Sequence, residues 1–510
     1  MNPILPLFVV TPLLGAFLIM IIGRFVKEFN KYFTSLILLF LACISFYFLF
    51  NTGENIFVYK VGGWQPIDKI PIGIYIVMDG FTAIVVCIIN LIGLLSAFYS
   101  ISYMKRYTAE NYFYALFCIM IAGMNGVVIS GDLFNIFVFL EISVISAYAL
   151  VAFGVEKNEL EASFKYQVLG GIASFLILFG IGFIYWKTKT LNIADIQVAF
   201  SSGYDKTYFL FTQVLILSGF GLKAAIIPFH AWLPDAHSSA PSPISAMLSG
   251  VLIKAVGIYV IIRLFFNMFV VTEGMSVLIT TLGTLSMVIG VFLAIGQWDI
   301  KRLLAYHSIS QMGYVVLSVG IGMILVARGD KPEVATLAIA GGLFHLVNHA
   351  AFKGLLFLNA GAIEYTIGTR NLQEMGGLSK YMPATSATSF VASMSISGIP
   401  PFNGFFSKLI IIIACILAKF YLLAALAVIV SIITLASFLK FQRYAFYNKS
   451  NKNQHIKEVP FPMVFSMVTL SLICVILSLL VIPEIRDAIL APAVDVLTDP
   501  LKYSSTIIGQ

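Results

Sequence analysis

The chain is 510 residues long, 60% apolar, 14% aromatic and only 11% charged, with a mean hydropathy of +0.97. Soluble globular proteins carry about a quarter charged residues, so the cytosolic enzyme classes are excluded and an integral membrane protein is indicated. The net charge of +7 is divided among short loops with no basic stripe, which fits membrane orientation and excludes a nucleic-acid partner.

In chain order, the first apolar run covers residues 3–23 and meets its first basic residues, Arg24 and Lys27, only afterwards. A secretory signal has the opposite flanks, so this run is expected to remain as a first span with its N-terminus outside. Further apolar runs predict spans at 32–50, 72–98, 112–130, 133–153, 163–185, 208–232, 241–264, 276–295, 303–323, 334–363, 384–418, 421–441 and 461–481. The expected fold class is therefore an all-α integral membrane protein of about fourteen transmembrane helices. Inner loops would hold Arg24, Lys27, Lys31, Lys105, Arg106, Lys157, Lys301, Arg302, Arg370, Lys380 and the basic run 440–457, against Lys187, Lys189 and Lys206 outside. That modest bias places both termini outside a cell membrane. The polar stretches 52–71, 186–207, 364–383 and 448–460 are loop-sized and leave no soluble domain.

The five cysteines fall inside apolar runs without metal-binding spacing, and read as small core residues. No GxGxxG follows a strand and no GxxxxGK[ST] occurs, so no cofactor is expected in this chain, nor any redox or hydrolytic site.

Two spans are interrupted. The seventh passes through Pro228 into PDAHSSAPSP, and the twelfth contains Gly398, Pro400, Pro401 and Gly404. Proline removes a helical hydrogen bond, and in lipid the freed carbonyl must find a partner in protein or in a watered cavity. Paired broken helices point to an ion or substrate path, and their five-span separation suggests two inverted repeats, spans four to eight and nine to thirteen. The implied division is a three-helix segment at 1–110, a first repeat at 111–268, a second at 269–445, and a C-terminal helix and tail at 446–510. Two ordinary proline kinks are the alternative.

Charges occur where lipid should forbid them. Glu141 is central in VFLEISV, and Lys223, Lys254, Lys353 and Lys408 lie equally deep in their spans. A charge at such depth costs at least about 2.5 kcal/mol on insertion scales, so each needs a partner or a purpose. Four buried lysines against one buried glutamate predict that some lysines are neutral part of the time, which a proton relay requires. Snorkelling to an interface is the alternative. Gly219, Gly250 and Gly404 each precede a lysine by four residues, which would give that lysine room and let a neighbouring helix approach. His345, His349 and Lys353 recur at i, i+4 and i+8, one stripe about 12 Å long, with spacings that waters can bridge. The histidine pair suits a relay, a metal site lacking a visible third ligand, or a satisfied core. Asp132 is a candidate for an access group or a helix cap. His230 and His237 flank the first break, as gates of access or as partners of unwound backbone.

The segments GDLFNIFVFLEISVISAYAL, GLKAAIIPFHAWLPDAHSSAPSPISAMLSGVLIKAVGIYVIIR, DIKRLLAYHSISQMGYV, HLVNHAAFKGLLFLNAG and SGIPPFNGFFSKL resemble the antiporter-like subunits shared by respiratory complex I, multisubunit sodium/proton antiporters and membrane-bound hydrogenases. The likeness spans roughly 112–441 and is strongest to the D-type subunit, especially that of an archaeal membrane-bound hydrogenase or its sulfur-reducing relative. It implies a fourteen-helix core with two inverted five-helix repeats, each with a broken helix. It implies also a relay in which Glu141 pairs with Lys223, protons pass through Lys254, His345, His349 and Lys353, and Lys408 opens to the far side. The chain continues only briefly past its fourteenth span, unlike the distal subunit of complex I with its lateral helix.

The resemblance implies membrane-subunit partners in a hetero-oligomer, surrounding lipid and, in a redox-driven complex, a peripheral module carrying Ni–Fe and Fe–S centres. The expected function is proton translocation in such a redox-driven pump; the alternative is the D-type subunit of a Na+/H+ antiporter without electron transfer. A solute permease and a structural spacer are further readings, which the titratable chain argues against and charge-removing substitutions would test.

Overall fold

A computed structural model describes residues 2–26, 28–53, 55–64, 71–203, 205–449 and 456–509. Lys27 and residues 450–455 of the basic run lie outside the described residues. The first helices are α1 (Leu7–Ile22), α2 (Phe29–Asn51), α3 (Gly80–Tyr103), α4 (Glu110–Ile129), α5 (Leu133–Val151) and α6 (Lys157–Thr188). After them come α7 (Ile193–Ser201), α8 (Lys206–Lys223), α9 (Trp232–Ser239), α10 (Ser242–Met247), α11 (Tyr259–Asn267), α12 (Glu273–Ile295), α13 (Ile300–Arg328) and α14 (Pro332–Ile367). The chain finishes with α15 (Pro383–Ser397), α16 (Asn403–Leu417), α17 (Tyr421–Gln442), α18 (Phe461–Ile476), α19 (Pro483–Thr498) and α20 (Pro500–Ile508). Among the described residues, 11 helices are long and apolar enough to cross a membrane, accompanied by the shorter apolar helices α1 and α16. The fold is thus an all-α, multi-pass integral membrane architecture.

The structure departs from the sequence reading in its polar stretches. Residues of the first loop pair as an antiparallel hairpin, β1 (Phe57–Lys60) with β2 (Tyr75–Met78), in the register Phe57 to Met78. The third span accordingly begins at Gly80, where Asp79 caps it by accepting from Thr82 N, rather than at residue 72. The stretch 186–207 contains α7, capped by Asn192. Beyond residue 481 the expected tail is two helices, each starting on a proline, whose missing N–H costs nothing at a helix's first turn. Cys43 is exposed on α2 rather than in the core; the other four cysteines are buried.

The hairpin marks one face of the bundle. There Gly131 N donates to Tyr75 O, Asp132 bridges to Asn192, and Gly80 packs against Pro492 of α19. The 24-residue α3 leads from this face to the other, about 36 Å away. The second face carries ion pairs: Asp235 with Arg302 and Lys165, Arg370 with Asp299, and Lys301 with Glu364. Burial tends to raise the Asp235 carboxyl, but Arg302 and Lys165 outweigh it and hold the group below its ordinary range.

Candidate functional site

Both predicted breaks are present, and each is resolved by a side chain that answers freed backbone groups. At the first, α8 stops at Lys223, the chain turns through Pro228, Trp232 Nε1 donates to Leu222 O at 3.0 Å, and Ile227 N donates to Ser286 Oγ at 3.0 Å. At the second, α15 ends on Gly398, whose φ of 75° suits glycine. Here Lys408 Nζ donates to Ile396 O at 2.8 Å and Ser431 Oγ to Ser397 O at 3.0 Å. A Cβ on Gly404 would run into Ser395 O, so only glycine lets the two half-helices approach this closely.

The four lysines are 0–3% exposed, so none snorkels. Lys223 Nζ lies 3.5 Å from Glu141 Oε1. Between them sits Ser174 of α6, which accepts from Lys223 at 3.0 Å and can donate to Glu141 at 2.5 Å. Glu141 departs from expectation: its side chain is 28% exposed on the outer flank of the bundle. Its depth in sequence was legible, but which side of α5 faces neighbouring helices was not.

Lys254 lies in a continuous segment, Ser242–Asn267, wound as π-helix at Leu248–Leu252 and Lys254–Ile258. The wider turn releases carbonyls from the ordinary ladder, and Lys254 Nζ donates to two of them, Ser249 O at 2.7 Å and Gly250 O at 2.5 Å. Of the three glycines singled out, Gly250 faces Ala350 O and Gly354 of α14, whereas Gly219 faces Ala173 and Ile177 of α6. Close helix approach requires glycine at positions 219 and 404, whereas a Cβ at Gly250 would make only ordinary contacts.

On α14, His345 bonds Ser407 Oγ through Nδ1 at 3.0 Å and Gln311 Oε1 through Nε2 at 3.2 Å. Among the described residues, His349 has no hydrogen-bond partner on either nitrogen, and its ring packs against Phe352. Lys353 Nζ donates to Leu304 O at 2.5 Å. Lys408 also meets Ser431 Oγ at 3.3 Å and the Tyr314 ring at 5.1 Å. Among the described residues no carboxylate lies within ion-pair distance of Lys254, Lys353 or Lys408.

A wall that the sequence reading overlooked joins these groups. Along α13, Ser308 Oγ bonds Ser249 Oγ at 2.6 Å and can donate to Leu304 O, the same carbonyl that accepts Lys353. Gln311 then reaches His345, and Tyr314 underlies Lys408. Leu304, Ser308, Gln311 and Tyr314 occupy one helical stripe, so α13 links Lys254 to Lys353 and His345 to Lys408. The signal was visible as polar residues within DIKRLLAYHSISQMGYV in an otherwise apolar span, of which Ser308 and Gln311 share this stripe while Ser310 turns to Met287 O and His307 to Ser437.

The access candidates are placed as follows. His237 is fully buried beside Trp232 and Phe357 with both nitrogens unpartnered, close enough to Lys254 and Lys353 for their charges to act on it. Three residues on, Ala240 O accepts from Lys301 at the floor of a polar cavity of about 610 Å³ lined by Glu159, Lys301, Glu364 and Arg370. His230 is half-buried with Nδ1 unpartnered. Asp132 caps α5 by accepting from Asn135 N at 2.8 Å on the hairpin face.

Residues 130–434 match the family described as NADH:quinone oxidoreductase/Mrp antiporter, and residues 64–114 match that described as NADH-ubiquinone oxidoreductase (complex I), chain 5 N-terminus. The D-type subunit of the Na(+)/H(+) antiporter of Alkalihalophilus pseudofirmus is 35% identical over 457 residues, 89% of each chain. The N-type subunit of the NADH-quinone oxidoreductase of Desulforudis audaxviator is 35% identical over 75% of this chain and 74% of its own. A chain in the structure of the Mrp complex from Dietzia sp. DQ12-45-1b superposes with a TM-score of 0.88 at 27% identity, covering 99% of both chains. One in the membrane-bound sulfane sulfur reductase, an archaeal respiratory membrane complex, gives 0.89 at 27% identity, covering 99% of this chain and 100% of that one.

Proposed function

Because the chain belongs to the antiporter-like, complex-I-like family of membrane subunits to which the NADH:quinone oxidoreductase and Mrp antiporter proteins belong, we propose that it is the D-type ion-translocating subunit of a multisubunit Na+/H+ antiporter. The observation that carries this reading is the near full-length similarity to a D-type antiporter subunit, joined to a bundle centre whose lysines, among the described residues, lack carboxylate partners beyond Glu141. A cation buried without a counter-ion holds its proton weakly enough to pass it on.

In this reading Glu141, through Ser174, strengthens or releases the hold on the Lys223 proton. Protons move between Lys223, Lys254, Lys353, His349 and His345, and Lys408 exchanges with the far side. His237, on the helix that leads to the polar cavity, controls access, with His230 at the other side of the break; Asp132 serves the fold as a cap.

The architecture proposed for this path is fourteen crossings, with two inverted repeats at 111–268 and 269–445. Supporting it, Asp132 caps α5 and bridges Asn192 on the hairpin face, while Asp299 caps α13 and bridges Asn371 on the opposite face. In each case the capping residue's neighbour donates to the loop after the following long helix, Leu133 N to Leu191 O and Ile300 N to Arg370 O. The ion-pair face, richer in Lys and Arg, is assigned to the cytoplasm, which puts both termini outside. Glu141, exposed at membrane depth, is expected to lie under a neighbouring membrane subunit.

The test is Na+-driven proton movement in inverted vesicles containing the intact complex. Lys254→Ala should abolish it while the complex still assembles; unaltered transport would refute the relay. A second reading, the proton-pumping arm of a redox-driven complex, is favoured by the equally high likeness to the sulfane sulfur reductase chain. Mass spectrometry of the co-purifying chains with a nickel and iron assay separates them: metal-bearing partners support the second reading, and their absence from an active complex the first.

A further inference from the structure

The second half of the bundle holds polar groups that the relay above does not use. His307 of α13 is fully buried; its Nε2 bonds Ser437 Oγ of α17 at 2.8 Å and its Nδ1 has no partner. The charges that reach it are those of Lys353, Lys408 and Lys440. It lies one turn along α13 from Leu304, whose carbonyl holds the Lys353 ammonium. From Ser437 the polar groups continue toward the ion-pair face. Gln442 Nε2 donates to Ser393 Oγ at 2.8 Å and Ser389 Oγ at 3.0 Å, both on α15. Thr388 Oγ1 can donate to Asn359 Oδ1 at 2.9 Å, and Thr385 Oγ1 donates to Glu458 Oε1 at 2.6 Å. Glu458 is half-buried, in the loop before α18.

Two properties distinguish this row from ordinary hydroxyl packing. Serine and threonine in membrane helices usually satisfy themselves on the carbonyl one turn back, as Ser397 does on Ser393 O. Ser389 and Ser393 instead accept from Gln442, and among the described residues neither hydroxyl proton has an acceptor. Moreover, Asn359 Nδ2, Gln442 Oε1 and His307 Nδ1 are buried without partners among the described residues. Such groups are normally met by ordered water, so three in succession mark a hydrated seam rather than a dry helix contact. On α15, Thr385, Ser389 and Ser393 stand one helical turn apart, about 5–6 Å, a gap that one water bridges.

We infer that Glu458, Thr385, Thr388, Ser389, Ser393 and Gln442 line a second proton route, running from the ion-pair face through Ser437 to His307 and joining the relay at Lys353. It rests on the relay reading and adds an access that the pairing of one half-channel with each repeat does not contain. The carried species is a proton rather than a metal cation. The seam ends on an imidazole among Lys353, Lys408 and Lys440, and those ammonium groups repel a sodium ion but exchange protons with a histidine through water. In each hop the proton enters one imidazole nitrogen and leaves from the other, so charge and atoms balance without a co-reactant.

The test uses the intact complex in oriented vesicles. Ser389→Cys and Ser393→Cys are treated with a small water-soluble methanethiosulfonate added to one face at a time, and modification is read by peptide mass spectrometry. Both positions should react from the Glu458 face, while Phe390→Cys, which sits 43% exposed on the outer flank, should not. Gln442→Leu and His307→Phe should slow proton movement at least about tenfold, as expected when a proton-transfer group is lost. Ser389→Thr, which keeps the hydroxyl, should leave it near normal. Absence of modification at both positions, or modification from the opposite face alone, overturns the route. Normal transport in assembled Gln442→Leu and His307→Phe complexes overturns it too. If Lys254→Ala abolishes transport while these two do not alter it, only this route fails; if Lys254→Ala is also neutral, the relay reading itself has failed.

Discussion

The two halves of the bundle hold a buried lysine at their breaks in different ways. Lys223 faces a carboxylate through a serine, and that carboxylate is partly exposed on the flank. Among the described residues, Lys408 faces dipoles and no carboxylate: the Ile396 carbonyl and the Ser431 hydroxyl, above the Tyr314 ring. A carboxylate can be drawn away or neutralised, so the proton affinity of Lys223 is adjustable from outside the chain. Carbonyls cannot be withdrawn without unfolding the break, so that of Lys408 is set by the fold. In the proposed relay, this difference gives control to the first half and a constant exit to the second.

The largest expected effect breaks the second half. Lys408→Met keeps the volume but leaves nothing to carry a proton, and transport should fall at least about 100-fold in vesicles holding the assembled complex. A smaller loss would mean that the exit bypasses Lys408. Glu141→Gln sharpens the comparison: it preserves the hydrogen bond to Ser174 but removes the adjustable charge. Transport should drop about tenfold while an equivalent neutralisation near Lys408 has no carboxylate to act on. Ser174→Ala should show a milder, few-fold version of the same defect, measured in the same assay.

The smallest effect lies at the surface, where Arg302 and Lys165 meet Asp235. The folded carboxyl titrates below its unfolded range. Its pair therefore stabilises the protein above about pH 3.9, the unfolded value, and the contribution is lost as pH falls through the folded value. Solvent reaches all three side chains, so Arg302→Met should cost at most about 1 kcal/mol at neutral pH. Thermal unfolding of the purified complex at pH 7 and in acid should show the deficit shrinking toward zero in acid.

Much of this arrangement was legible in one dimension. Apolar runs of spanning length marked the helices, because lipid tolerates no unsatisfied backbone. Pro228, Pro400 and Pro401 located both breaks, because proline cannot donate to the ladder. Glu141 and the four lysines stood out, because charge at membrane depth is costly. What the sequence could not supply was how these groups face one another across helices. Serine at position 174, and the stripe of Leu304, Ser308, Gln311 and Tyr314, are ordinary residues in apolar runs; only packing against α5, α8, α14, α16 and the π-wound turn at Leu248–Leu252 turns them into bridges. The hairpin, α19 and α20 were likewise hidden, since short elements draw their stability from the bundle they cover rather than from their own patterns. Composition and local chemistry fixed which residues had to be explained, because desolvation is paid residue by residue. Tertiary structure decided which of them are connected, because a proton path depends on gaps of a few ångströms between side chains from different helices, and helical periodicity alone does not set those distances.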